Sequence, residues 1–137
     1  MEYLIVLLTT LALHPPDMTG HPVPEVSLLP ALEVADRLED AILTHTGQQS
    51  AGPLRTAAYL PRENVILITT TLLDDSQELE AVLIHELIHW WQVRTRRSDD
   101  GKEQLWEDEA RMYENLWRRE HGMRLRPARL LPPHFRP

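Results

Sequence analysis

A five-residue pattern in the middle of the chain constrains the fold more than any other feature. The pentapeptide His85-Glu86-Leu87-Ile88-His89 lies within residues 76–97, whose apolar side chains recur at helical spacing after a capping residue, Asp75. A spacing of four residues puts both imidazoles on one face of a helix, one turn apart, where they can bind the same metal ion. The sequence therefore predicts a helix that carries two metal ligands.

Glu86 directly follows the first of these histidines. Its carboxylate is expected near the metal without occupying a coordination position. A carboxylate in this place can hold a water molecule on a zinc ion and accept its proton. Glu86 is therefore predicted to be a general base.

The composition limits the side chains that can complete such a site. The chain of 137 residues has no cysteine, so a metal site has to use its seven histidines and its carboxylates. Its 14 basic and 21 acidic residues give a net charge of −7, which argues against a nucleic-acid partner. The length allows one domain of ordinary size. Zinc bound by histidine and an acid is the cofactor that fits these limits.

The third zinc ligand has to come from another element, because two histidines do not hold a catalytic zinc. A helix is predicted over residues 102–121, and it contains three acids in a row, Glu107, Asp108 and Glu109. Helical spacing puts Glu107 on a charged stripe that is expected to face solvent. It puts Glu109 in an apolar stripe that is expected to face the core, where an unpaired carboxylate would cost roughly several kcal/mol. Glu109 is therefore predicted to be the third ligand.

The remaining patterns predict a small α+β domain. Residues 28–46 have apolar side chains at helical spacing and are followed by Gly47, which predicts a packing helix. Residues 54–60 and 65–71 are rich in apolar or β-branched side chains and are joined by a turn-forming connector, which predicts an antiparallel hairpin. The packing helix and the hairpin sheet accompany the HExxH helix and the C-terminal helix that carries Glu109.

The predicted domain covers residues 27–122, and the segments before and after it are considered separately. Residues 3–13 read YLIVLLTTLAL and are too few to span a bilayer. They fit the apolar part of a secretory signal or a core strand, so a periplasmic or secreted location and a cytoplasmic one both stay open. A Pro-rich linker extends this segment to residue 26. Residues 123–137 are rich in Arg and Pro and are interpreted as a tail.

The HExxH pentapeptide, followed by a glutamate twenty residues after its second histidine, resembles the pattern of the gluzincins, the thermolysin-like clan of zinc metallopeptidases. The resemblance covers residues 54–117 and is specific only at the motif positions. It implies a minimal zincin-like domain in which His85, His89 and Glu109 bind zinc and Glu86 is the general base. It also implies that the hairpin lies along a peptide or protein substrate, which adds a strand to its edge.

The chain departs from the pattern of that family at two places. Four residues after the glutamate ligand, the family has an aspartate that supports the first histidine, and this chain has Tyr113. The downstream histidine that helps to stabilise the oxyanion has no evident counterpart. Tyr113 is therefore predicted to orient His85 or to donate to the oxyanion, unless it packs between helices. Tyr59 and His121 are the other candidates for the oxyanion donor.

The predicted activity is the zinc-dependent hydrolysis of peptide bonds. The alternative is a zinc-stabilised zincin-like domain that binds a partner or acts as an adaptor without proteolysis. A third possibility is a metal-free helical module in which the HExxH pattern arose by chance.

Overall fold

The computed structural model describes residue 10 and residues 29–49, 56–95 and 103–126. This part of the chain is a small α+β domain, as the sequence predicts, and it contains three helices and a three-stranded mixed sheet. The strands are β1 (Ala31–Ala35), β2 (Ala57–Leu60) and β3 (Val65–Thr69), and the helices are α1 (Leu38–Thr46), α2 (Ser76–Thr95) and α3 (Glu103–Glu120). A short 3₁₀ segment, Thr70–Asp74, connects β3 to α2. None of the helices in the described residues has the length and apolar character needed to cross a membrane.

The predicted hairpin is present and supplies two of the three strands of the sheet. The strand order is β1-β3-β2, and β2 is antiparallel to β3. The turn between them ends at Asn64, which has a φ of 53° in the left-handed region that asparagine tolerates better than most residues. Its side-chain Oδ1 accepts a hydrogen bond of 2.8 Å from the Tyr59 hydroxyl, which ties the turn to β2.

The helix predicted over residues 28–46 is wrong in its first half. Ala31–Ala35 form β1, which is parallel to β3, and α1 begins only at Leu38. In β1 the side chain of Leu32 is buried, whereas its neighbours on both sides are exposed. Pairing with β3 satisfies the backbone of this segment and buries Leu32, so a tertiary contact overrides the local helical pattern. Gly47 ends α1 as predicted, with a φ of 71°.

Helices cover both faces of the sheet. Three consecutive residues of β3, Ile66, Leu67 and Ile68, are completely buried, as expected for a central strand that packs on both sides. Ile66 and Ile68 belong to the main core with α2 and α3. Leu67 packs in a second cluster with Leu38 of α1. The sheet therefore supports α2, and α2 in turn supports α3.

The ends of α2 and α3 follow their capping residues. Asp75 Oδ1 accepts a hydrogen bond of 3.1 Å from the backbone N–H of Glu78, which is the predicted cap of α2. Beyond α3, Gly122 has a φ of 67°, and the backbone N–H of Met123 donates to the carbonyl of Arg118 at 2.7 Å, as in a Schellman motif.

Residues 123–126, the described part of the predicted tail, turn back along α3. The side chain of Asn115 exchanges two hydrogen bonds of 2.9 Å with the backbone of Arg126. The apolar segment of residues 3–13, apart from residue 10, and the remainder of the tail lie outside the described residues. The alternatives for those segments stay predictions.

Candidate metal centre

Three side chains that can bind a metal meet between α2 and α3. The Nε2 atoms of His85 and His89 are 3.2 Å apart. The two carboxylate oxygens of Glu107 lie 2.9 Å from His85 Nε2 and 3.0 Å from His89 Nε2. Ligands of a tetrahedral zinc with bonds near 2.0 Å are about 3.3 Å apart, so these separations are close to what a zinc ion requires. His85 is buried and the other two are half-buried, which leaves one side of the group near solvent.

The structure brings Glu107, and not Glu109, to the two histidines. Residues two positions apart on a helix differ by about 200° in direction, so only one of these acids can reach the two histidines. Glu109 is half-buried beside the group, where its Oε1 accepts a hydrogen bond of 2.9 Å from Gln92 Nε2. The predicted ligand set of His85, His89 and Glu109 is therefore corrected to His85, His89 and Glu107 as the residues that converge.

The correction has its cause in the orientation of α3. Leu105 and Met112 belong to the same apolar stripe as Glu109, yet they are 64% and 51% exposed. Glu114 and Arg118 belong to the same charged stripe as Glu107, yet they are 0% and 3% exposed. The charged face of α3 can pack on α2 because its charges are paired there, which offsets the cost of burying them.

Glu114 contacts His85 at Nδ1, the ring nitrogen on the side away from Glu107 and His89. His85 Nδ1 donates a hydrogen bond of 2.8 Å to Glu114 Oε1, and the other oxygen accepts one of 2.7 Å from Arg118 Nε. Arg118 in turn makes a bidentate pair with Glu78 at the start of α2, with distances of 2.6 and 2.9 Å. This arrangement keeps the proton of a neutral His85 on Nδ1 and leaves Nε2 as the metal-facing atom.

Sequence reasoning missed both Glu107 and Glu114 as parts of the site. They are seven residues apart, which is two helical turns, so a helix that turns one of them toward His85 turns both. The spacing was the available signal. The same spacing is also typical of a stripe of charged residues that faces solvent, and that interpretation was the one adopted.

The second histidine is oriented in the same way as the first. His89 Nδ1 donates a hydrogen bond of 2.9 Å to Gln92 Oε1. Both Nδ1 atoms are therefore engaged, and both Nε2 atoms face each other and the carboxylate of Glu107. When both imidazoles are neutral, their Nε2 lone pairs and the carboxylate converge on one point that a cation can occupy. The donor set thus fits a metal ion by its chemistry as well as by its distances.

Glu86 lies in α2 next to this group. Its side chain is 7% exposed, and the described part of the chain offers its carboxylate no hydrogen bond or ion pair. Its negative charge contributes to the raised pKa of His85. A buried carboxylate without a protein partner is available to a water molecule or a substrate.

The three candidate oxyanion donors lie in different surroundings. Tyr113 is buried in the main hydrophobic core, which favours the packing interpretation, and Glu114 rather than Tyr113 orients His85. The Tyr59 hydroxyl donates to Asn64, as described above. His121 stacks on Trp117 with ring centres 4.0 Å apart, and its Nδ1 donates to the Trp117 carbonyl at 2.8 Å. A catalytic role for any of these three residues stays a prediction.

Comparison of the chain with models of known protein families, with curated proteins and with solved structures finds no match. The function is therefore inferred from the motif and from the geometry of the site.

In the absence of a metal, a proton supplies the positive charge at this site. Burial opposes the charged form of His85, but hydrogen bonds to Glu107 and Glu114 and the charge of Glu86 outweigh it and raise the pKa of His85 to about 9. Burial likewise opposes ionisation of Glu107, yet its hydrogen bonds to the two histidines hold its pKa far below the ordinary value. A metal has to displace the proton of His85, so metal binding is expected to strengthen as the pH rises.

We expect the metal-free protein to lose stability as the pH rises from about 6.5 to about 9. The pKa of His85 is 6.5 in the unfolded chain and about 9 in the folded one, so the folded state binds this proton more tightly. The stabilisation is fully present below pH 6.5 and is lost as the pH passes the folded pKa, a difference on the order of 3 kcal/mol. Urea unfolding of chelator-treated protein across this range measures the effect. His85→Gln should remove this dependence of stability on pH. Equal stability of the wild type at pH 6.5 and at pH 9 would contradict the prediction.

Proposed function

We propose that this chain is a zinc-dependent hydrolase of peptide bonds that binds zinc through His85, His89 and Glu107. The observation that carries the proposal is the convergence of two Nε2 atoms and a carboxylate, with both Nδ1 atoms held by acceptors. Two histidines and a glutamate are a known donor set of catalytic zinc. Three protein ligands leave one coordination position open, whereas a structural zinc is closed by four.

The residues around the group have separate tasks in this proposal. Zinc in this site would supply a Lewis acid for the scissile carbonyl and would lower the pKa of a water molecule. Glu86 would accept a proton from a water molecule whose oxygen bonds to the scissile carbonyl carbon, and it would donate that proton to the amine nitrogen as the C–N bond breaks. Glu114 and Gln92 keep the two imidazoles in the tautomer that presents Nε2.

The sheet supports a peptide as the substrate in a zincin-like arrangement. Among the described strands, β2 pairs with β3 on one side only, and it also packs against α2, the helix that carries the HExxH residues. Its other edge has backbone groups to which an extended peptide can add as a further strand. A chain bound in this way would lie next to the strand that packs against α2.

We expect the protein, purified without a histidine tag, to contain one zinc per chain and to cleave a flexible, unfolded substrate protein. A chelator should stop the cleavage, and added zinc should restore it. Magnesium should not, because it prefers oxygen ligands and octahedral geometry. Metal analysis and the appearance of new peptide ends measure the two effects.

Two other results would change the assignment. Stoichiometric zinc without any cleavage would favour the non-catalytic binding domain. The absence of zinc binding would contradict both functions and would leave the metal-free helical module.

A further inference from the structure

Gln92 is a completely buried glutamine whose amide uses both of its ends. Its Oε1 accepts the hydrogen bond from His89 Nδ1 at 2.9 Å. Its Nε2 donates two hydrogen bonds of 2.9 Å, one to the backbone carbonyl of Trp106 and one to Glu109 Oε1. Two acceptors on one side and an imidazole N–H on the other allow only one orientation of the amide.

These contacts reach two of the three residues that converge at the metal centre. His89 is on α2, one turn before Gln92. The carbonyl of Trp106 belongs to the peptide bond that joins Trp106 to Glu107 on α3. One side chain therefore contacts the ring of one proposed ligand and the backbone that carries another.

We propose that Gln92 is a positioning residue of the metal centre. It selects the tautomer of His89 that leaves Nε2 for the metal, and it holds the backbone of α3 where Glu107 reaches both histidines. Glu109 holds the Gln92 amide in its orientation, which gives this acid a task at the site without making it a ligand. The inference rests on the proposed metal centre and adds how two of its ligands are placed.

The tautomer matters because a neutral imidazole carries one proton on either nitrogen. A ring with its proton on Nε2 has no lone pair to offer there and cannot bind the metal through that atom. An acceptor fixed at Nδ1 favours the productive form before the metal arrives. The loss of this acceptor is expected to weaken metal binding even where the fold is unchanged.

The test compares Gln92→Met, Glu109→Leu and Glu109→Gln with the wild type. Methionine has a similar length to glutamine and lacks its donors and its acceptor. In the metal-free protein, nitrogen-15 NMR reports whether His89 carries a protected proton on Nδ1. Competition with a chromophoric chelator reports the zinc affinity, and thermal unfolding reports the fold. Gln48→Leu, at an exposed glutamine beyond α1, is the matched control.

For Gln92→Met we expect the Nδ1 proton signal of His89 to be lost and the zinc affinity to fall by about 10- to 100-fold. For Glu109→Leu we expect a loss of about 3- to 10-fold, since one of the two acceptors for the amide remains. Glu109→Gln should match the wild type, because its amide oxygen can still accept the bond from Gln92. A merely structural role of Gln92 would not change the tautomer of His89.

Wild-type zinc affinity together with a retained Nδ1 proton in Gln92→Met would overturn the inference. If Gln92→Met does not fold, the two variants Glu109→Leu and Glu109→Gln provide the test. Equal zinc affinities of these two variants would then overturn the inference. Failure of the proposed function is a different observation. Wild-type protein that binds no zinc contradicts the metal centre, whereas the NMR signal of the metal-free protein still tests the contact between Gln92 and His89.

Discussion

Replacing Glu107 by alanine is expected to abolish stoichiometric zinc binding, whereas Glu109→Ala is expected to keep one zinc per chain. Both oxygens of Glu107 lie within 3.0 Å of an imidazole nitrogen, so its removal takes away the only carboxylate between the two histidines in the described residues. The affinity should fall by more than about 100-fold, which exceeds the usual loss for a residue that only supports a ligand. Glu109 contacts Gln92, which in turn contacts His89, so Glu109→Ala should lower the zinc affinity by about tenfold at most.

Metal analysis after dialysis and chelator competition measure this difference. Glu120→Ala is the control, because Glu120 is an exposed acid at the far end of α3. Circular dichroism of each metal-free variant separates a lost ligand from a lost fold. If Glu109→Ala loses zinc and Glu107→Ala retains it, Glu109 and not Glu107 is the third ligand.

Glu86→Gln is expected to remove hydrolysis while zinc stays bound at one per chain. Glutamine has nearly the same shape and can still hydrogen-bond a water molecule, but it cannot accept the proton of that water. The rate should fall by at least ~10²-fold, because the same group serves as base and then as acid. Stability should not fall, since a neutral amide replaces a buried carboxylate that has no partner among the described residues.

Initial rates on an unfolded substrate protein, with the zinc content measured in the same samples, provide this test. Glu80→Gln is the matched control, because it makes the same chemical change on α2 at a half-buried position that precedes the motif by five residues. Activity that survives in Glu86→Gln would contradict the general-base role, even if zinc binding is established.

Local patterns in the sequence were sufficient to predict much of the fold. The hairpin follows from two β-prone runs around a turn, and α2 and α3 follow from helical periodicity bounded by Asp75 and Gly122. The shared face of His85 and His89 also needs nothing beyond helical spacing. These features depend on neighbours within a few residues, so they can be read from the chain alone.

The segment before α1 shows where such patterns stop being informative. Leu32 fits both a helical and an alternating pattern, and local propensity favoured the helix. It lies in a strand because β3, more than thirty residues later in the chain, offers it a partner in parallel pairing. A contact between distant segments cannot be inferred from the periodicity of one of them.

The sequence by itself determined that two histidines and a glutamate share α2, and that an acid from a later helix could join them. Only the tertiary structure decided which acid. The apolar pattern of α3 pointed Glu109 inward, but the structure turns the face of Glu107 and Glu114 toward the two histidines, because Glu78 on α2 pairs with Arg118 and His85 pairs with Glu114. Burial of a charge depends on the partner that another element supplies, and that partner is set by how the helices pack.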